Sequence, residues 1–146
     1  MKAEARWVDG MTFVARGASN HYVVMDSRQE FGGTEGASSP MEMVLFGLIG
    51  CSGFDVVSIL KKMRIRPETF VITAEAERSG EHPKVFTKIH LKYIFTGSDL
   101  KVDNLERAVQ LSQEKYCSVA AMLKKAAELT YEIVVNPPED DERDDA

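Results

Sequence analysis

Apolar and polar residues alternate with a period of two over residues 2–25 and again over 69–95, and a helical apolar run lies between them. Residues 2–8, 11–16 and 20–25 are rich in β-branched and aromatic side chains, and Asp9-Gly10 is a hairpin turn signal, so the chain is expected to open as a β-meander. The loop Gly32-Gly-Thr-Glu-Gly36 follows, and then a helix is predicted over about 40–64. Ser39 suits its N-cap, Pro40 its first turn, and Glu42 the third position of a capping box. Its first half is apolar on every side, which predicts a central buried helix. Lys61, Lys62 and Arg64 meet its carbonyl end, and Pro67 stops it.

Residues 69–78 and 84–95 alternate cleanly and are separated by Ser79-Gly80 and Pro83, which predicts a long hairpin. A helix is expected from Asp103, with Glu106 three residues on, to about 115, and another over about 118–128. Thr130–Val135 reads as a final strand. The order βββ-α-ββ-αα-β places the chain in the α+β class.

With 146 residues, 44% of them hydrophobic, the chain is long enough for one domain with a core that needs no disulfide or metal staple. Residues 1–136 are expected to form that domain. Residues 137–146 hold six acids and one Arg, so they carry the whole net charge of −5 and are expected to stay disordered. The body is left with seventeen acids against seventeen bases. That balance has no basic footprint for nucleic acid, so no nucleic-acid partner is expected.

The start Met1-Lys-Ala-Glu-Ala-Arg-Trp7 has no apolar signal region, and Ser52 and Asp55 interrupt the longest apolar stretch. Neither a secretory signal nor a membrane partner is expected, and the location read from this is cytoplasmic. No Lys follows the glycines of the 32–36 loop at P-loop spacing, which argues against phosphate binding.

The candidate chemistry lies in two cysteines, Cys51 in the apolar helix and Cys117 before the last helix. In a reducing compartment such a pair is catalytic, metal-bound or inert rather than a structural bridge, and each Cys alone can serve as a small buried hydrophobe. Cys117 directly precedes a predicted helix, whose unpaired amides favour an anion. Cys51 lies about three turns into its helix, too deep for much help from the dipole, and an Arg from elsewhere would be needed. Zinc shared with His21, His82 or His90 lacks the short ligand spacing of a metal site, so no metal and no cofactor are expected. Asp55, one turn after Cys51 on the same face, wants a partner among apolar neighbours.

Ser39-Pro-Met-Glu-Met-Val-Leu-Phe-Gly-Leu-Ile-Gly-Cys51-Ser-Gly-Phe-Asp55, taken with Glu114-Lys-Tyr-Cys117-Ser-Val, resembles the OsmC/Ohr family of osmotically inducible and organic hydroperoxide resistance proteins. The resemblance covers nearly the whole body. It implies antiparallel β-sheets packed around central buried helices in an intertwined homodimer. It also implies a thiol-dependent peroxidase in which Cys51 attacks an organic hydroperoxide, Cys117 resolves the sulfenic acid, and an external dithiol reduces the disulfide. Met41 stands where the family's peroxidases carry the Glu that holds an activating Arg, and Glu42 is shifted by one. Arg16, Asp55 and Glu42 are the supporting candidates. The alternative is a non-enzymatic OsmC-like homodimer, a stress protein or one that binds a small hydrophobic ligand.

Overall fold

The computed structural model describes residues 1–138, which group into two compact units, Met1–Phe46 and Gly47 onward. The expected disordered tail lies almost entirely outside the described residues. In the first unit β1 (Ala3–Asp9), β2 (Thr12–Gly17) and β3 (Tyr22–Met25) form an antiparallel sheet in sequence order. Gly10, at φ 51°, turns the first hairpin in the left-handed region that the Asp-Gly pair favours.

The chain leaving β3 folds around one carboxylate. Asp26 accepts hydrogen bonds from the Thr34 hydroxyl and from the backbone N–H groups of Ser27, Thr34 and Gly36 at 2.7–3.2 Å. Gly33 is required in this loop, since a Cβ there would lie 1.9 Å from the Ser27 carbonyl oxygen. The Thr34 hydroxyl, followed by the backbone donors, holds the Asp26 carboxyl down at about 2. A depressed carboxyl contributes stability that is present above its unfolded pKa and lost as pH falls through the folded one. We therefore expect wild type to lose stability between about pH 4 and pH 2 through this group, and Asp26→Asn to flatten that part of the curve. Chemical denaturation at pH 5, 4, 3 and 2 checks this, and parallel curves for the two proteins would refute it.

The long helix α1 (Pro40–Lys62) starts as its sequence predicts. Glu42 reaches back to the Ser39 N–H at 2.7 Å and hydroxyl at 2.6 Å, while the Ser39 hydroxyl accepts from the Glu42 N–H at 3.3 Å. Within this single chain only Leu48, Ser52, Val56 and Leu60 are buried, one stripe at spacing four, while Phe54 and Val57 are 81% and 54% exposed. By length and apolar composition alone α1 could cross a membrane. Its buried stripe and the polar contacts of Ser52 make it instead a core helix of the second unit.

In that unit β4 (Thr69–Arg78) pairs antiparallel with β5 (Phe86–Thr96), and β6 (Glu128–Val135) lies on the other side of β5. Alternation along β5 buries Ile89, Leu91, Tyr93 and Phe95 on one face. The Phe95 ring stacks on Phe70 of β4 with centroids 4.4 Å apart. The implied all-antiparallel sheets are corrected at one pairing, because β6 runs parallel to β5. The cause is the connection: a parallel neighbour needs a long crossover, and the helical segment 102–123 supplies it.

That crossover starts with α2 (Val102–Leu111), which buries Leu105, Ala108 and Val109 and has Lys101 rather than Asp103 at its start, with no side-chain cap. It continues as a π-helical turn over Ser112–Tyr116 and ends in the short α3 (Ser118–Leu123). The last predicted helix, expected to reach 128, stops here, and residues 124–127 form turns leading into β6.

Candidate functional site

Two sulfurs and a carboxylate converge inside the second unit. Cys51 and Asp55 project from one face of α1, a turn apart, and Cys117 meets them from the N-cap of α3. Sγ of Cys51, Sγ of Cys117 and a carboxylate oxygen of Asp55 all lie within 4.8 Å of one another. Both cysteines are free thiols, Cys51 half-buried and Cys117 only 3% exposed.

The π-helical turn is what makes this convergence possible. One extra residue in the helical repeat rotates Ser112 and Gln113 into the core and delivers Cys117 to the start of α3. There the Cys117 sulfur accepts the Ala120 N–H at 3.4 Å. The helix start that favours a thiolate at this position is outweighed by burial. Burial pushes the Cys117 thiol up to about 11, against the smaller downward pull of the Ala120 N–H, and neighbouring Cys51 and Asp55 add to the rise. At neutral pH Cys117 is therefore a protonated thiol.

Behind the sulfurs runs a buried polar chain. Tyr93, Ser52 and Ser112 are all fully buried. The Ser52 hydroxyl lies 2.5 Å from the Tyr93 hydroxyl and 3.0 Å from that of Ser112, and Ser112 donates to Asp55 Oδ2 at 3.1 Å. Ser112 spends its one proton on Asp55, so Ser52 donates to Ser112 and Tyr93 in turn donates to Ser52. Gln113 Nε2 donates to Tyr93 at 2.7 Å and to Ser52 at 3.3 Å, leaving its buried Oε1 without a partner among the described residues. Burial raises the Tyr93 phenol above its ordinary value, so it serves as a neutral donor.

Of the residues expected to support the thiols, Asp55 is brought to them within the second unit. Glu42 is engaged with Ser39 in the helix cap, which holds its carboxyl below the usual range. Arg16 bonds Glu4 at 2.7 Å and Asn20 at 2.9 Å within the first sheet, and the Glu4 hydrogen bond raises its pKa. Among the described residues of the second unit, no Lys or Arg bonds to Cys51, Cys117 or Asp55. Lys124, the cation tied to this region, donates to the Gln113 carbonyl at 2.6 Å. His90 bonds Thr130 across the sheet at 2.8 Å.

Ser52, Tyr93, Ser112 and Gln113 were missed in the sequence. The usable signal was polarity out of place: Ser52 interrupts the apolar run of α1, and Ser112 follows Ala108 by four, which continues the buried face of α2.

On the outer side of α1 an apolar groove of about 720 Å³ opens between the helix and β4, lined by Gly50, Gly53, Phe54, Val57, Phe70 and Ile72 among others.

A paired-thiol site on an α+β frame of this order is the architecture of the OsmC-like proteins. The model of that family matches residues 33–132, and the chain belongs to it. It is 48% identical over 136 residues to Protein YhfA of Escherichia coli K12, an alignment covering 92% of this chain and 98% of that protein. A hypothetical protein of Aquifex aeolicus VF5 has the same fold at 31% identity, with a TM-score of 0.77 over 93% of this chain and 97% of the other. An organic hydroperoxide resistance protein OsmC from Legionella pneumophila shares the fold at 18% identity, with a TM-score of 0.70 over 92% of this chain and 96% of that one.

Proposed function

We propose that this protein is a thiol-dependent peroxidase for organic hydroperoxides. The observation that carries the reading is the pair of free sulfurs within 4.8 Å, one half-buried and one buried. Cys51, the more accessible, attacks the distal oxygen of the hydroperoxide as a thiolate. The O–O bond breaks, the alcohol leaves with a proton, and Cys51 becomes a sulfenic acid. The Cys117 sulfur then attacks the Cys51 sulfur, water leaves, and a disulfide forms. An external dithiol reduces it by exchange.

Because Cys117 keeps its proton at neutral pH, that proton leaves on the Cys51 hydroxyl as the departing water, with the Asp55 carboxylate within 4.8 Å of both sulfurs. The test is mass spectrometry of the reduced protein after one equivalent of cumene hydroperoxide. A rapid loss of two hydrogens mapped to Cys51 and Cys117 is expected, and two intact thiols would refute the reading.

The groove on α1 favours a second reading, in which the protein is a homodimer that holds a small hydrophobic ligand without turning it over. The same cumene hydroperoxide experiment separates the two, since a pure binder keeps both thiols.

Either reading includes a homodimer and a cytoplasmic location. The exposed Phe54 and Val57 of α1 line one apolar groove with Phe70 and Ile72 of β4, and contiguous exposed apolar surface of this kind marks an interface. Sedimentation at micromolar concentration is expected to show a species of twice the chain mass. A stable species of single-chain mass would count against the dimer.

A further inference from the structure

We propose that Cys51, Asp55 and Cys117 form, in the reduced protein, a binding site for one zinc(II) ion. This goes beyond the peroxidase reading and does not depend on it.

The geometry is close to what the ion requires. Zinc holds sulfur at ~2.3 Å and carboxylate oxygen at ~2.0–2.2 Å, so two sulfurs on one tetrahedral ion stand ~3.8 Å apart. The three ligand atoms already lie within 4.8 Å of one another, so a closure of up to about 1 Å completes the set, which small side-chain rotations supply. Two ligands come from one face of α1 and the third from the start of α3, so the ion would tie the central helix to the crossover. Cys51 is half-buried, which leaves the fourth position to water, as in zinc sites of the open type.

The surroundings are built as an outer shell. Ser112 donates to Asp55 at 3.1 Å, and the Ala120 N–H donates to the Cys117 sulfur at 3.4 Å, so two of the three ligands are oriented before an ion arrives. Charge argues the same way. Three groups that become anions on metal binding are gathered here, and a divalent cation offsets their charge. The donor set selects the metal: two sulfurs disfavour magnesium and calcium, and the hard carboxylate oxygen favours zinc over copper(I).

The site is also redox-gated. When diamide takes two electrons and two protons from the pair and becomes its hydrazine, the sulfurs join in a disulfide and the zinc ligands are lost.

The test is titration of zinc(II) into metal-free protein, kept reduced with a phosphine, against a chromophoric chelator. Cobalt(II) is the spectroscopic probe. One equivalent is expected, with sulfur-to-cobalt charge-transfer absorption in the near ultraviolet. Binding should vanish after diamide oxidation and in the Cys51→Ser/Cys117→Ser double variant. Asp55→Asn should weaken it more than tenfold, and Ser112→Ala by ~10–100-fold as for loss of an outer-shell partner. Circular dichroism confirms that each variant is folded, and Cys117→Ala replaces Cys117→Ser should the latter not fold. The proposal is overturned when wild type binds no more zinc than the double variant, or when Asp55→Asn binds as tightly as wild type. No peroxide enters the titration, so its outcome is separate from that of the peroxidase reading.

Discussion

Cys51→Ser is expected to lower hydroperoxide consumption by at least ~10³-fold, the scale on which loss of a catalytic nucleophile acts. Cys117→Ser should behave differently. It keeps the attacking thiol and loses only the partner that closes the disulfide, so it should consume one equivalent of cumene hydroperoxide in a burst and then stop. The trapped product is a sulfenic acid on Cys51, read as a gain of one oxygen or as a dimedone adduct. The asymmetry follows from access, since Cys51 is half-buried whereas Cys117 is 3% exposed and holds its proton up to about pH 11. A burst in Cys51→Ser and none in Cys117→Ser would reverse the two roles. Equal loss in both, with no adduct in either, would remove the peroxidase reading.

The second large effect is expected at Tyr93, where the aromatic core and the polar chain meet. Its ring is fully buried and makes an edge contact with Tyr131 at 6.1 Å between centroids, while its hydroxyl bonds Ser52 and Gln113. Tyr93→Ala removes ring and hydroxyl together and should cost ~3–5 kcal/mol, the range for truncating a large buried side chain. Tyr93→Phe keeps the ring and removes one oxygen. It removes the acceptor of the 2.7 Å Gln113 bond, leaves that amide the 3.3 Å bond to Ser52, and takes a donor from Ser52, which should cost ~1–3 kcal/mol. For a chain of this length each kcal/mol moves Tm by ~2–4 °C, so the two variants are distinguishable by calorimetry. A Tyr93→Phe protein as stable as wild type would mean that the buried hydroxyl chain contributes nothing to stability.

The elements of the fold were legible because their signals are local. The capping box Ser39/Glu42, the Asp9-Gly10 turn and the alternation along 84–95 each need only neighbours in sequence, and each corresponds to an observed feature. The boundaries that slipped lie around the crossover, where α2 begins without a side-chain cap and the helical repeat gains a residue at Ser112–Tyr116. A π turn has no sequence signature comparable to a proline or a glycine, since packing of the inward side chains is what selects it.

The candidate site divides along the same line. That Cys51 and Asp55 share a face follows from the 3.6-residue period, and the family pattern pairs Cys51 with Cys117. Glu42 is engaged in its cap and Arg16 with Glu4, because the nearest satisfied hydrogen bonds took them first. The acidity of Cys117 depended on a competition that no string of residues expresses: a helix start pulls it down, burial pushes it up, and burial is the larger effect.

Sequence by itself therefore determined the order of elements, the family and the two thiols, since periodicity, caps and motifs are properties of a few neighbouring residues. Tertiary structure alone decided that β6 lies parallel to β5, that only one stripe of α1 is covered within a chain, and that Asp55 joins Ser112, Ser52 and Tyr93. Those contacts link residues separated by up to about sixty positions. Burial and hydrogen-bond partners at such separations are set by how whole elements pack, which local residue preferences do not encode.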